Sequence, residues 1–404
     1  MELYNHQKEI LNLNPDKCLL AWECGTGKSI ASIALSKVKP SMNVLVVCPK
    51  AVKRKWGSEI QKFGDSNKNY LVLTKEEFRR DFQKIGNYQT IIIDECHYFA
   101  SMTSRMSKSL LAYVKQYKTQ NIYLLTATPY MSTPWNIYVL AKILGKEWGY
   151  LTFRNKFFYN VSMGGRVVSM VRSGIEEDIA KLVAKIGHVV KLSDCIDIPP
   201  QIFKEEYFEL TRPQKLEITS QQKTEYNPVV LYTRLHQIIN GSLKGDGYTE
   251  NRTFTNEKAD RILEYVMTNS KVAVVCRYNL QIELLARQIQ DKTNKTLFII
   301  NGETKDKESI VKSVEECDDC VVLINASCSE GYELPSINLI LFASLSFSYK
   351  DYAQICGRFL RINRPAKNVY VHMIVKDSID EEVFKCIWKK EDFNIEIYAQ
   401  KNII

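Results

Sequence analysis

Three short stretches near the start of the chain hold the residue types that phosphate chemistry requires. Gly25-Thr26-Gly27-Lys28-Ser29 follows an apolar run and opens a segment of helical spacing. In a strand–loop–helix setting, such glycines let backbone N–H groups turn toward an anion. Lys28 can then reach the β- and γ-phosphates, and the Ser29 hydroxyl can ligate Mg²⁺. The helix N-terminus adds its partial positive charge. The first glycine of the full phosphate-loop pattern, due at position 22, is replaced by Trp22. Further on, Ile91-Ile92-Ile93 runs into Asp94-Glu95-Cys96-His97. Adjacent acids at the C-terminal end of a strand stand where open α/β sheets place ligands. Asp94 would hold Mg²⁺, directly or through water, and Glu95 would polarise an attacking water as general base. Thr126-Ala127-Thr128-Pro129 follows the next apolar run, with two hydroxyls able to hydrogen-bond back to the acidic loop. In the second half, Gln354-Ile355-Cys356-Gly357-Arg358-Phe359-Leu360-Arg361 sets two arginines three residues apart, hence on one helix face. A planar guanidinium stays charged and binds phosphate oxygens bidentately. A single-lobe ATPase has no need of such a pair. In a two-lobe machine they would point across a cleft at the γ-phosphate.

These loops need elements to carry them, and one pattern recurs: a β-branched run, a polar loop, then a helix-period segment. The runs are 18–21, 44–48, 91–93 and 122–125, followed by a second series at 272–276, 297–300, 321–324, 339–342 and 369–374. Continuous apolar runs of this length read as parallel strands buried on both faces. The segments 29–38, 281–290 and 306–315 have helical spacing. This alternation argues for α/β architecture, with two lobes that are each a mostly parallel sheet flanked by helices. The two series are separated by a less regular stretch carrying Pro199-Pro200, which places the lobes at 1–192 and 193–404. Phe203–Leu210 alternates like an edge strand and would open the second lobe. An insertion at about 145–175 interleaves Trp148, Tyr150, Phe153, Phe157, Phe158 and Tyr159 with Arg154 and Lys156, as single-strand binders do. A helix with aromatics in the core is the favoured reading there.

In this order, Gly25–Ser29, Asp94–His97, Thr126–Thr128 and the arginine stretch resemble motifs I, II, III and VI of superfamily-two helicases. Asn43–Lys50, followed by Trp56 and Glu59, resembles motif Ia of the Swi/Snf-like branch, and Leu3–Gln7 resembles that branch's Q motif. Val272–Tyr278 looks like motif IV, Asn325–Leu334 like motif V, and Leu235–Gly241 like a Swi/Snf-type stretch between lobes. The resemblance implies two tandem RecA-like lobes and ATP-dependent movement on nucleic acid, DNA more than RNA. An RNA helicase and a non-catalytic nucleic-acid-binding scaffold are the alternatives. It also implies that Gln7 reads adenine with Tyr4 stacking beside it, and that Gly25, Thr26, Gly27, Lys28 and Ser29 cradle ATP with Mg²⁺ on Ser29 and Asp94. Gln354, Arg358 and Arg361 would join Lys28, Asp94 and Glu95 in catalysis, and His97, Thr126 and Thr128 would couple the sites. Gly331 and Glu333 would contact the nucleotide, although Glu333 stands where the Swi/Snf branch has Asn and the DEAD-box branch Asp. The compact length resembles the small Swi/Snf-like helicases of phages and other DNA viruses.

Composition agrees. The 404 residues carry a formal net charge of +9, which suits a polyanionic partner. Of the eleven cysteines, several lie in apolar runs (Cys48, Cys276) or beside phosphate loops (Cys24, Cys96, Cys356), the usage of a reducing compartment. No apolar run approaches the ~20 residues of a membrane span, and the first residues lack a secretory pattern. The expectation is a cytoplasmic protein (host cytoplasm if viral) with no membrane partner. Cys317-Asp-Asp-Cys320 lacks the further ligands a zinc site needs. His188, His236 and His372 read as ordinary packed or surface histidines.

Overall fold

The computed structural model describes residues 3–23, 25–129, 133–163, 166–195, 201–225, 227–245, 249–360, 367–390, 392–395 and 398. It divides into two compact units, Met1–Asp197 and Ile198–Ile404, against the 192/193 junction expected from sequence. No helix among the described residues is long and apolar enough to cross a membrane.

The first unit contains β1 (Lys17–Trp22), β2 (Asn43–Cys48), β3 (Asn69–Thr74), β4 (Thr90–Ile93), β5 (Asn121–Thr126), β6 (Phe158–Met163), β7 (Arg166–Val171) and β8 (Gly187–Val190). Six of these form one sheet in the order β3-β2-β4-β5-β1-β8. Every pairing in it is parallel. Parallel pairing needs crossovers, and the helices that make them cover both faces of the sheet. Side chains therefore alternate between two cores. Leu19, Leu45, Val47, Ile91, Ile93, Ile122 and Leu124 face one, while Leu20, Trp22, Val44, Val46, Ile92, Tyr123 and Leu125 face the other. Leu124→Ala in such a core costs about 2–5 kcal/mol. The order β4-β5-β1 sets the acidic loop, the Thr126–Thr128 loop and the phosphate loop on neighbouring strand ends, where an open α/β sheet binds ligands.

The second unit contains β9 (Gln201–Phe208), β10 (Ser242–Leu243), β11 (Arg252–Thr253), β12 (Lys271–Cys276), β13 (Thr296–Ile300), β14 (Cys320–Asn325), β15 (Leu339–Phe342) and β16 (Asn368–Val375). Its main sheet runs β13-β14-β12-β15-β16-β9, again wholly parallel. β9 opens the unit as an edge strand pairing along its full length with β16.

Two features differ from the expectation. The 145–175 insertion is a short helix, Tyr150–Phe157, followed by the antiparallel hairpin β6–β7. Phe153, Phe157 and Phe158 are core residues, whereas Tyr150 and Tyr159 are exposed. The helix Tyr349–Arg358 ends at Arg358, with Phe359 as its C-cap. The helix expected to carry Arg358 and Arg361 on one face is thus described only as far as Arg358. Arg361 itself lies outside the described residues.

Candidate active site

The phosphate loop spans the end of β1 and the start of the helix Lys28–Val38. Gly25 and Gly27 both have left-handed backbones, with φ of 82° and 77°. A Cβ on Gly27 would sit 2.3 Å from the Gln7 amide nitrogen, so glycine is required there twice over. Trp22, in place of the first glycine, is the last residue of β1 and is wholly buried. Its indole donates to His188 Nδ1 (3.0 Å) and meets the His6 ring edge-on. Its carbonyl accepts from Lys28 Nζ (2.8 Å), which also donates to the Glu23 carbonyl (3.1 Å). The loop thus starts from a strand end anchored by an aromatic ring. Thr26 closes it by donating to the Glu23 carbonyl at 2.7 Å.

The helix Asn5–Leu13 clamps this loop from outside. His6 Nε2 donates to the Thr26 carbonyl (2.8 Å) and Gln7 Nε2 to the Gly27 carbonyl (3.2 Å). The Tyr4 N–H donates to Gln7 Oε1 (3.0 Å), and the Tyr4 ring stacks on His6. Gln7 is fully buried, so its amide bonds the loop's backbone.

Asp94 and Glu95 stand at the end of β4. The Asp94 N–H extends the sheet by donating to the Val47 carbonyl (2.8 Å). Its carboxylate takes the Trp56 indole N–H on Oδ2 (2.8 Å) and the Glu95 N–H on Oδ1 (3.0 Å). Burial pushes the Asp94 carboxyl up, to about 7, and the neighbouring Glu95 charge adds to this; Trp56 and Lys28 act in the opposite sense. Glu95 has a left-handed backbone, φ 48°, a strain of the kind that clusters at functional positions. Its Oε2 lies 3.1 Å from His97 Nδ1. A carboxyl raised by burial and a like charge is short of positive charge. Together with the Ser29 hydroxyl in the first turn of the helix after the phosphate loop, it could supply the hard oxygen ligands that Mg²⁺ takes alongside substrate phosphates. In the third loop the Thr126 hydroxyl accepts from the Thr128 N–H (3.1 Å), bracing its own turn. The buried Thr128 hydroxyl has no partner among the described residues, so the described bond runs within the loop, not back to the acids.

In the second unit, Arg358 is bound to the loop after β14. Its Nε donates to the Ser329 carbonyl (2.6 Å) and Nη1 to the Tyr332 carbonyl (3.4 Å). Buried Gln354 accepts from the Ser329 hydroxyl (2.7 Å), and the Leu334 N–H donates to the Arg358 carbonyl (2.8 Å). Lys307 donates to the Glu330 carbonyl (2.8 Å), and Gly331 makes the turn at φ 87°. Glu333 is exposed on this loop.

Sequence reasoning missed two things. Trp56 as a ligand of Asp94 is one, and the ionic core of the second unit is the other. In that core, Lys258 Nζ meets Asp380 Oδ2 at 2.5 Å and donates to Asn240 Oδ1 at 2.9 Å. His236, read as ordinary, is fully buried: it donates from Nε2 to Asp380 Oδ1 (3.2 Å) and accepts from the Tyr278 hydroxyl at Nδ1 (2.7 Å). Burial alone would raise the Asp380 carboxyl, but Lys258 and His236 hold it well below the usual carboxylate range. His188 is half-buried and accepts from the Trp22 indole.

Two doubly wound lobes with a phosphate loop, an acidic strand end and an arginine-bearing helix define the helicase class of ATPase. The DEAD/DEAH box helicase model matches residues 4–136, and the helicase conserved C-terminal domain model matches 257–363. A Caenorhabditis elegans SWI/SNF-related matrix-associated actin-dependent regulator of chromatin subfamily A-like protein 1 homolog is 20% identical over 96% of this chain. The chain spans about three fifths (61%) of that relative's length. Transcript termination protein A18 of fowlpox virus is 19% identical over 89% of this chain and 70% of its own. The Pyrococcus furiosus Hef helicase domain shares the fold with a TM-score of 0.56, at 12% identity over 95% of this chain and 97% of that one. With one helicase model on each of its lobes the chain belongs to the helicases of superfamily two, and it is similar to their Swi/Snf-like branch.

Proposed function

We propose that this protein is a DNA translocase or helicase that hydrolyses ATP on its first lobe and couples the reaction to movement along DNA. The observation that carries the reading is the sheet order β4-β5-β1, which brings the Asp94-Glu95 pair, the Thr126–Thr128 loop and the phosphate loop to successive strand ends. Lys28 would bind the β- and γ-phosphates. Ser29 and Asp94 would hold Mg²⁺, whose bound charge offsets that developing on the phosphate oxygens. Glu95 would orient and deprotonate water, with His97 steadying its carboxylate. Arg358, and Arg361 beyond it, would supply the positive charge that speeds transfer, and Gln354 would hold the Ser329 loop beside them. Gln7 and Tyr4 would hold the loop at the height where adenine is read.

DNA is preferred to RNA because motif Ia and the stretch at 235–241 are of the Swi/Snf type. The net charge of +9 supports a polyanionic track held through phosphates. The fowlpox relative supports a viral setting, and the ten described cysteines, all free, support a reducing compartment such as the cytoplasm. Steady-state ATP hydrolysis with no polymer, single-stranded DNA, duplex DNA or RNA tests the reading, on wild type and Glu95→Gln. Stimulation by DNA that is lost in Glu95→Gln is expected. Stimulation by RNA alone points to an RNA helicase. Nucleic-acid binding without hydrolysis under any condition points to a scaffold.

A further inference from the structure

The hairpin β6–β7 takes no part in the phosphate chemistry, yet its composition and exposure are unusual. Between Glu147 and Glu176 the chain has no acid at all, while Arg154, Lys156, Arg166 and Arg172 fall in that interval. The hairpin is a separate two-stranded sheet, and such a ribbon is marginal on its own. It is anchored at its root. Phe158 and Val171 are paired across the strands and so share a face. That face meets the lobe, where Phe158 stacks on Trp135 with centroids 4.9 Å apart and Val171 packs on the same core. The Arg172 N–H closes the root by donating to the Phe157 carbonyl (2.9 Å).

The next pair, Tyr159 and Met170, points to the opposite side by the period-two rule. Both are exposed, at 44% and 36%. Val161 follows on the same side. The ribbon therefore turns an aromatic–thioether platform away from the lobe. Cations stand at its root: Arg172 is exposed, and Arg154 donates to Asn160 Oδ1 (2.9 Å) along the inner face. Arg166 stands at the register position opposite Met163. A protein-binding strip has no need to exclude every acid over this length. A polyanion with flat faces does require cations without acids and a ring on which to stack.

We propose that the β6–β7 hairpin is a nucleic-acid-binding element that stacks unpaired bases on Tyr159 and Met170 and holds the adjoining phosphates with Arg172. The proposal rests on the motor reading above and adds a second contact, separate from the ATP site, that favours single-stranded over duplex polymer.

The test uses the full chain and a fluorescein-labelled oligo(dT) strand. Tyr159→Ala combined with Met170→Ala should weaken binding about 5–150-fold, the range expected when one stacked base loses its platform. Arg172→Gln should flatten the slope of log affinity against log salt by about 0.7, one phosphate on a single strand. Both variants alter exposed side chains, so wild-type melting temperatures are expected and serve as the folding control. Independently, a strand carrying 5-iodouracil should photo-crosslink to the peptide containing Tyr159. If wild type binds the strand and the double variant binds it equally, with no crosslink to this peptide, the hairpin proposal is overturned and the motor reading stands. If wild type binds no polymer of any kind, both fall. Equal loss of duplex and single-strand affinity overturns the base-stacking role.

Discussion

Replacing Trp56 by Phe removes one hydrogen-bond donor from beside the Asp94 carboxylate and keeps an aromatic ring in its place. Trp56 is 1% exposed, and its indole N–H is 2.8 Å from Asp94 Oδ2. The other Asp94 oxygen is held by the Glu95 N–H, so the two bonds together fix the plane of the carboxylate. Losing a hydrogen bond to a charged group costs about 1.5–3 kcal/mol. Residues that orient a metal-ligating side chain typically cost about 10–100-fold in metal affinity or activity when removed. Trp56→Phe should therefore raise the Mg²⁺ concentration that half-saturates ATP hydrolysis by about 10–100-fold, with a smaller change in the rate at saturating Mg²⁺. The smaller ring also leaves a void in the core it shares with Val52 and Ile60, so a modest fall in melting temperature accompanies the change, about 2–4 °C per kcal/mol. Trp56→Leu, also lacking a donor, should match Phe in Mg²⁺ dependence. If both variants keep the wild-type Mg²⁺ dependence while melting lower, Trp56 is a packing residue only, and the positioning role assigned to it is refuted.

Further outcomes are expected from the same geometry. Arg358→Ala should lower DNA-stimulated hydrolysis about 10³-fold or more, as loss of an arginine finger does, with little effect on nucleotide affinity measured by a fluorescent analogue. Gly27→Ala should cripple nucleotide binding, since the left-handed backbone costs about 1–2 kcal/mol and the new methyl meets Gln7; adding Gln7→Ala should recover only the steric part. Lys258→Met leaves Asp380 buried without its cation and should destabilise the second lobe by about 3–5 kcal/mol in a denaturant titration. Burial lowers the His372 pKa from 6.5 to about 4. The unfolded chain therefore binds the proton first, and the neutral imidazole accepting from Tyr352 contributes fully above pH ~6.5. Stability should fall by about 3 kcal/mol as pH drops from 6.5 to 4, and His372→Gln should flatten that part of the pH profile.

Most of the fold was legible because a parallel sheet covered on both faces writes itself as uninterrupted apolar runs. β1, β2, β4, β5 and the strands β12 to β16 of the second unit all fall on such runs, within a residue or two at each end. β3 and β8 escaped notice for a physical reason: both are edge strands of the first sheet, partly open to solvent, and β8 has only four residues. The site was legible where the chemistry is local in sequence, as in Gly25–Ser29 and Asp94–Glu95. Contacts that close over long separations left no trace. Nothing in the spacing of Trp56 and Asp94 announces a hydrogen bond, and the Lys258–Asp380 pair joins residues 122 apart. The end of the helix at Arg358 was also hidden, because neither Phe359 nor Leu360 is a helix breaker. The hairpin was masked by the aromatics before it, since Phe153 and Phe157 on the preceding helix gave the stretch a helical signature.

The attachment of Arg358 to its own lobe has a mechanical consequence. A guanidinium has five N–H donors, and here two nitrogens already grip the carbonyls of Ser329 and Tyr332. The side chain is therefore the end of a lever. An anion that draws the guanidinium even a fraction of an ångström must either break those bonds or drag the 329–332 segment with it. The glycine at 331, already in a left-handed backbone, is the natural fulcrum. An anion bound at that one arginine tip would thus be converted into displacement of a whole loop, with no moving part larger than a single turn.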